Sequence, residues 1–268
     1  MDTEAFNRAI ALRDAGKVKE ALREFVALAE ATVDLEEKAA LLGNQCTCLT
    51  ILGLYQEARK QLTLALSIAP KTQCLLYHQY VDAALSGHEG QWSRTLQLVE
   101  RLLEEYGELL LQPEHRRLYQ DVQVLRGATL VAHSRFREAR TVLEECLRLN
   151  LNAQDEREVL SSLGTCYINL GEKGRAKEML LKALEKGLGG GNAVSAHYHL
   201  GTIYFAETAY AKAWMEFEWC LAHVKEGLVS SEHLCGWLAA TANNLGMKEE
   251  ADRYRKLAEG TAESQVGS

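Results

Sequence analysis

The sequence predicts an all-α protein, an array of seven tandem helix-turn-helix repeats, and three observations carry that prediction. Only two prolines, Pro70 and Pro113, interrupt 268 residues rich in good helix formers. A small residue recurs as Ala21, Ala58, Thr95, Ala139, Ala176, Ala213 and Ala251, at intervals of 37, 37, 44, 37, 37 and 38. Around each member the same local chemistry returns at fixed offsets.

Twelve residues before each member stands a second small residue: Ala9, Cys46, Ala83, Gly127, Gly164, Gly201 and Ala239. Two helices can approach closely there. Five residues before each member comes Gly16, Gly53, Gly90, Ser134, Gly171, Thr208 or Gly246, where a helix must end and the chain reverse. Large or small apolar residues four and seven positions later, such as Phe25 and Leu28 or Leu180 and Ala183, complete one face of a second helix. The last repeat departs, placing Arg255 where the others have a large apolar residue, with Tyr254 beside it. A terminal repeat has no neighbour beyond it, so its outer face must tolerate water.

The motifs resemble tetratricopeptide repeats. Repeat five, LSSLGTCYINLGEKGRAKEMLLKAL, carries Leu163, Gly164, Tyr167, Gly171, Ala176, Leu180 and Ala183 at the family's consensus positions. Repeat six matches through Leu200, Gly201, Tyr204, Ala213 and Phe217, and Pro70 stands where the family often has its terminal proline. The resemblance spans essentially the whole chain. It implies one right-handed α-solenoid over 1–268, with repeats at about 2–38, 39–75, 76–119, 120–156, 157–193, 194–231 and 232–259 and a disordered tail at 260–268. The period of 37 exceeds the family's usual 34, so the extra residues are expected between repeats. The longer third interval places its surplus at 104–115, as a lengthened helix broken before Pro113 or a bend in the array.

A net charge of −7 and a pI near 5.7 argue against a nucleic-acid partner, whose footprint is a basic stripe. The N-terminal segment has acids where a signal peptide has bases, and no run is long enough to span a bilayer. No membrane association and a cytoplasmic location are therefore expected. The seven cysteines fall mostly at apolar helical positions and are expected as buried, reduced thiols.

The resemblance implies that the first helices of the repeats line a concave face. On those helices, the stripe at −3, +1, +4 and +5 from the small reference residue is left for a ligand. It holds Thr47, Thr50 and Tyr80, with Tyr77 one turn earlier, then Val124, Ala128 and Val131. Ser161, Thr165, Asn169, Tyr198, Thr202, Phe205 and Asn243 continue it, with His199, His233 and Trp237 adjoining. Aromatic rings and amides with few charges suit a peptide held through its backbone, so the expected function is a protein-interaction scaffold. The alternative for Tyr77, Tyr80, Tyr198 and Phe205 is packing between neighbouring repeats. Chaperone-binding members of the family clamp a terminal carboxylate with lysine, asparagine and arginine. Here Phe6, Ile10, Tyr77 and Val81 occupy clamp positions and only Asn44 matches, so that partner is disfavoured.

No catalytic residues, cofactor or metal are expected. His197 and His199, two apart on a helix, point to different sides, as do Cys46 and Cys48. The segment Gly187–Asn192 lacks the strand and the lysine of a phosphate loop and reads as an inter-repeat connection. Two other functions stay open: self-association through Phe6, Ile10 and Trp237 at the ends of the array, as a homo-oligomer, and a small-molecule sensor or enzyme using the cluster in repeats six and seven.

Overall fold

A computed structural model describes residues 2–68, 75–226 and 229–266; Pro70 and Cys74 lie outside them. Among the described residues there are fourteen α-helices and no strand. They run as seven consecutive pairs: α1 (Thr3–Asp14) with α2 (Val18–Ala31), α3 (Leu35–Ile51) with α4 (Tyr55–Ile68), and α5 (Leu75–His88) with α6 (Trp92–Leu110). Then come α7 (Arg116–Ala132) and α8 (Phe136–Cys146), α9 (Ala153–Asn169) and α10 (Lys173–Glu185), α11 (Gly190–Ala206) and α12 (Tyr210–Ala222), and α13 (Ser231–Asn244) and α14 (Lys248–Val266). None of the described helices is long and apolar enough to cross a membrane.

The turn residues named from the sequence are the ones that reverse the chain. All seven have positive φ, from 58° at Ser134 to 79° at Gly16, Gly171 and Gly246. At Gly16 the local bonds close the helix end: its N–H donates to the Arg13 carbonyl at 2.9 Å and that of Lys17 to Leu12 at 2.9 Å. Thr208 and Ser134 adopt the same left-handed conformation although a Cβ disfavours it. First helices also begin at capping side chains: Asp2, Asp34, Asn152 and Ser230 each accept from a backbone N–H at the start of α1, α3, α9 and α13.

The close approach expected at the small residues is present. A Cβ added to Gly164 would lie 2.5 Å from the Leu180 side chain, and one added to Gly201 would lie 2.6 Å from the Phe217 ring. α3 packs against its own partner α4 and against α2 and α5 of the neighbouring pairs, so it buries every residue from Leu41 to Cys46. Basic residues one position after the small residue of the second helix reach the turn of the next repeat: Arg59 to Glu89 at 2.5 Å, Arg140 to Glu172 at 3.0 Å and Lys177 to Glu207 at 2.7 Å. At the last junction Trp214 meets Tyr254 edge to face at 5.6 Å, which is how Tyr254 compensates for Arg255.

The long third interval is a lengthened helix. α6 has 19 residues against 14 in α4, and a 3₁₀ turn at Pro113–His115 follows Gln112, held extended as a residue before proline must be. The chain divides into two compact units, Met1–Ser134 and Arg135–Ser268. The division falls at the turn of repeat four, not at 104–115. Two further expectations shift: Gly190 begins α11, so only part of the Gly187–Asn192 segment is a connection, and α14 runs into the expected tail.

Candidate functional site

In the first unit, the candidate residues lie on α3, α5 and α7 and are largely committed to one another. The Thr47 hydroxyl bonds the Gly43 carbonyl at 3.1 Å and the Tyr77 hydroxyl at 2.9 Å. Burial pushes the Tyr77 phenol up. Tyr77 and Tyr80 pack with rings 6.4 Å apart against the apolar cluster around Val81 and Leu85. Val124 is half-buried on α7. Thr50, expected on the open stripe, is instead buried and bonds the Cys46 carbonyl at 2.8 Å. Arg13, four residues after Ala9 and so on the stripe of repeat one, donates to the Asn44 side chain at 3.0 Å. That position follows from the same offsets, and only the stripe of repeat one went unread.

The second unit gathers its candidates differently. Ser161 is buried on α9; Thr165 donates to its carbonyl at 3.3 Å, and exposed Asn169 donates to the Thr165 carbonyl at 2.9 Å. Both threonine and asparagine thereby keep an acceptor oxygen for a ligand. Thr202 donates to the His199 carbonyl at 2.8 Å, and burial pulls the His199 imidazole down, so it stays neutral. Asn243 is exposed at the end of α13.

Between α11 and α13 three polar tips meet. The Tyr198 hydroxyl lies 2.8 Å from Nε2 of exposed His233, and the Trp237 indole N–H points to the Tyr198 oxygen at 3.3 Å and to His233 Nε2 at 3.2 Å. The indole can only donate, so the arrangement that satisfies all three runs from indole to phenol to imidazole. Behind the tips the rings pack: Trp237 stacks on Phe217 at 5.4 Å and meets Phe205 edge to face at 5.2 Å. Tyr198, Phe205 and Trp237 are thus half-buried ring bodies seated on the cluster around Phe217, with their edges on the surface. The sequence set groove against inter-repeat packing for Tyr198 and Phe205; both pack on this cluster and keep part of their surface exposed. Phe217 appeared in the sequence only as part of the apolar stripe of a second helix.

His197 and His223 have local partners. His197 pairs with Glu216 at 2.6 Å and stacks on Trp219 at 3.9 Å, and His223 stacks on Trp219 at 3.9 Å. Among the described residues, no three His, Cys, Asp or Glu side chains are grouped to hold a metal ion. Six cysteines are free and buried, and burial pushes Cys146 and Cys220 up to about 12 and Cys46, Cys48 and Cys166 to about 11. Such thiols are not nucleophiles near neutral pH.

The family model of the tetratricopeptide repeat matches residues 158–185, which hold most of α9 and all of α10. The match covers that one helix pair, which is therefore similar to a tetratricopeptide repeat. No curated protein sequence matches it. Among solved structures, the chain is similar to Pseudomonas aeruginosa pilF at 17% identity, covering 87% of this chain and 99% of that one with a TM-score of 0.63. The apo form of RapI is similar at 14% identity over 98% of this chain and 76% of that one, TM-score 0.66. A tetratricopeptide repeat protein from Parabacteroides merdae is similar at 19% identity over 96% and 91%, TM-score 0.53. At these identities the likeness is one of fold. Proteins of this fold generally mediate protein–protein interaction and are typically non-enzymatic scaffolds.

Proposed function

We propose that this protein binds a peptide or protein segment on the first-helix face of its second unit, centred on Tyr198, His233 and Trp237. The observation that carries the reading is the convergence of three polar tips within 3.3 Å on half-buried aromatic bodies. Tyrosine and tryptophan held this way supply large contact area with little rotamer entropy left to lose, the property that concentrates binding energy in a few interface residues. Thr165, Asn169 and Asn243 extend the same face with groups able to bond a peptide backbone.

Self-association has less support at the start of the array, where Phe6 and Ile10 are partly buried against their own unit. Phe6 meets Phe25 edge to face at 5.9 Å, and Phe6 and Ile10 both pack on the cluster of their own unit. The buried thiols offer an enzyme no nucleophile near neutral pH.

The test is affinity capture from native cell lysate with the immobilised wild type, Tyr198→Ala/Phe205→Ala, and a milder Tyr198→Phe/His233→Ala pair that leaves the ring bodies in place. A protein retained by wild type and lost from both variants, with helical content and melting of the milder pair unchanged, is the expected result. Equal retention by all three would overturn the proposal. Loss from the alanine pair alone, with collapsed melting, would assign these residues to the core instead.

A further inference from the structure

We infer that the segment read by the second unit is positively charged where it crosses this face, so that the ligand is a lysine- or arginine-bearing peptide. The inference rests on the binding reading above and specifies its chemistry.

The argument starts from which charges the face holds. Counted from the small residue of each first helix, positions −6, −3, −2, +1, +4 and +5 of α9, α11 and α13 contain no lysine and no arginine. The single ionisable acid among them is Glu158, at −6 on α9, the position His233 occupies on α13. The nearest base on α9, Arg157, is drawn to the Lys186 carbonyl at 3.4 Å. Lys177 and Lys212 are spent over the Tyr204 ring, each 5.5 Å from its centre. His199 stays neutral because burial disfavours its charged form. A carboxylate ligand therefore meets no cation on this face.

A cation finds two kinds of partner. Thr165 and Asn169, on the same helix as Glu158, each keep an acceptor oxygen that an ammonium or guanidinium group can bond. Glu158 is half-buried and accepts from the Gln154 amide at 3.2 Å, a neutral donor. Burial raises its pKa, which means its charge is under-compensated in the free protein. A cationic side chain laid across α9 supplies the missing charge. At the same positions the first unit holds Arg13 beside Asp14, 3.1 Å apart, and Asp121, so its face, unlike that of the second unit, is not free of bases.

Phage-displayed random peptides of about 12 residues, selected on the intact protein, test this. Enriched clones should carry an excess of Lys and Arg over Asp and Glu relative to the input library. A synthetic clone should bind about fivefold more weakly to Glu158→Gln, as for loss of one partly exposed ion pair. Selection on Glu158→Lys should favour acidic clones, and Arg13→Gln in the first unit should change nothing. Enrichment of acidic or uncharged clones on the wild type, or a basic preference indifferent to Glu158→Gln, would overturn the charge assignment while leaving the groove intact. Clones that bind Tyr198→Ala/Phe205→Ala as well as wild type, with that variant still folded, would overturn the groove reading itself.

Discussion

In the first unit the buried side chains include Asn44, Gln45, Thr50, His78, Ser86, Thr95, Gln120 and Thr129; among the described residues of the second, the buried polar residues are Ser161 and Thr241. The second unit holds three of the four tryptophans and builds an apolar cluster on Phe217. The same helix pair thus encloses two interiors. One is laced with hydrogen bonds, such as Gln45 to the Phe25 carbonyl at 3.2 Å and His78 Nε2 to the Ala39 carbonyl at 3.0 Å. The other is packed with rings. A core bonded to its own backbone fixes one geometry and spends its polar groups doing so. A core of rings leaves amphipathic edges for the surface, which is why the candidate site belongs to the second unit.

The largest expected effect tests the ring-packed side. Phe217→Ala removes the base on which Trp237 and Tyr198 sit and should cost about 3–5 kcal/mol. Hydrogen exchange should show protection lost first in α11 to α13 and least in α1 to α5. Gly201→Ala presses on the same ring and should cost about 1–3 kcal/mol through overpacking. Uniform loss of protection along the whole chain in either variant would break the distinction between the units.

The bonded side should respond to acid. His78 is fully buried beside Gly43, and burial lowers its pKa below 6.5 against the smaller opposing effect of its bond to Ala39. The neutral form is the folded form, so its stabilisation is complete above pH 6.5 and is lost as pH falls from there toward and past the lower folded value. One proton limits the slope to about 1.4 kcal/mol per pH unit. Exchange in α3 and α5 should accelerate across that window, and His78→Gln should flatten the response. A profile unchanged by the substitution would assign the acid sensitivity elsewhere.

Smaller effects compare the units at equivalent points. Ser134→Gly and Thr208→Gly relieve the left-handed conformation at one turn each and should stabilise by about 0.5–1 kcal/mol, since the relief exceeds the extra freedom glycine gains on unfolding. Chemical denaturation would read this; a loss of stability would mean the side chains hold the turn in ways its geometry does not reveal. Finally, in a Cys74→Ser background the buried thiols should resist alkylation in native buffer. The order in which Cys46 and Cys48 react against Cys146, Cys166, Cys220 and Cys235 then reports which unit opens first.

The repeat, the seven turns and the close helix approaches were legible because each is imposed by a residue type at a fixed offset. Gly16 and Gly164 are needed for what they lack, and that is visible in a letter. The polar interior was not legible. His78 occupies a position that is Leu41 or Val159 in other repeats, and only the fold shows the Ala39 carbonyl turned toward it. Thr50 sits at an open-stripe offset yet is covered, since offset fixes direction and not how near the next helix comes. The candidate site was legible as a set of positions. The bonds among Tyr198, His233 and Trp237 were not, because they join residues 35 and 39 apart through the spacing of two helices.

Photo-cross-linking tests the central claim most directly. A benzophenone side chain placed at Asn243 in the second unit, and separately at Thr47 in the first, is irradiated in native lysate and the joined peptides are identified by mass spectrometry. The account predicts a specific adduct from Asn243 that disappears in the Tyr198→Phe/His233→Ala background, and none from Thr47. An adduct formed from Thr47 alone would contradict it and move recognition to the first unit.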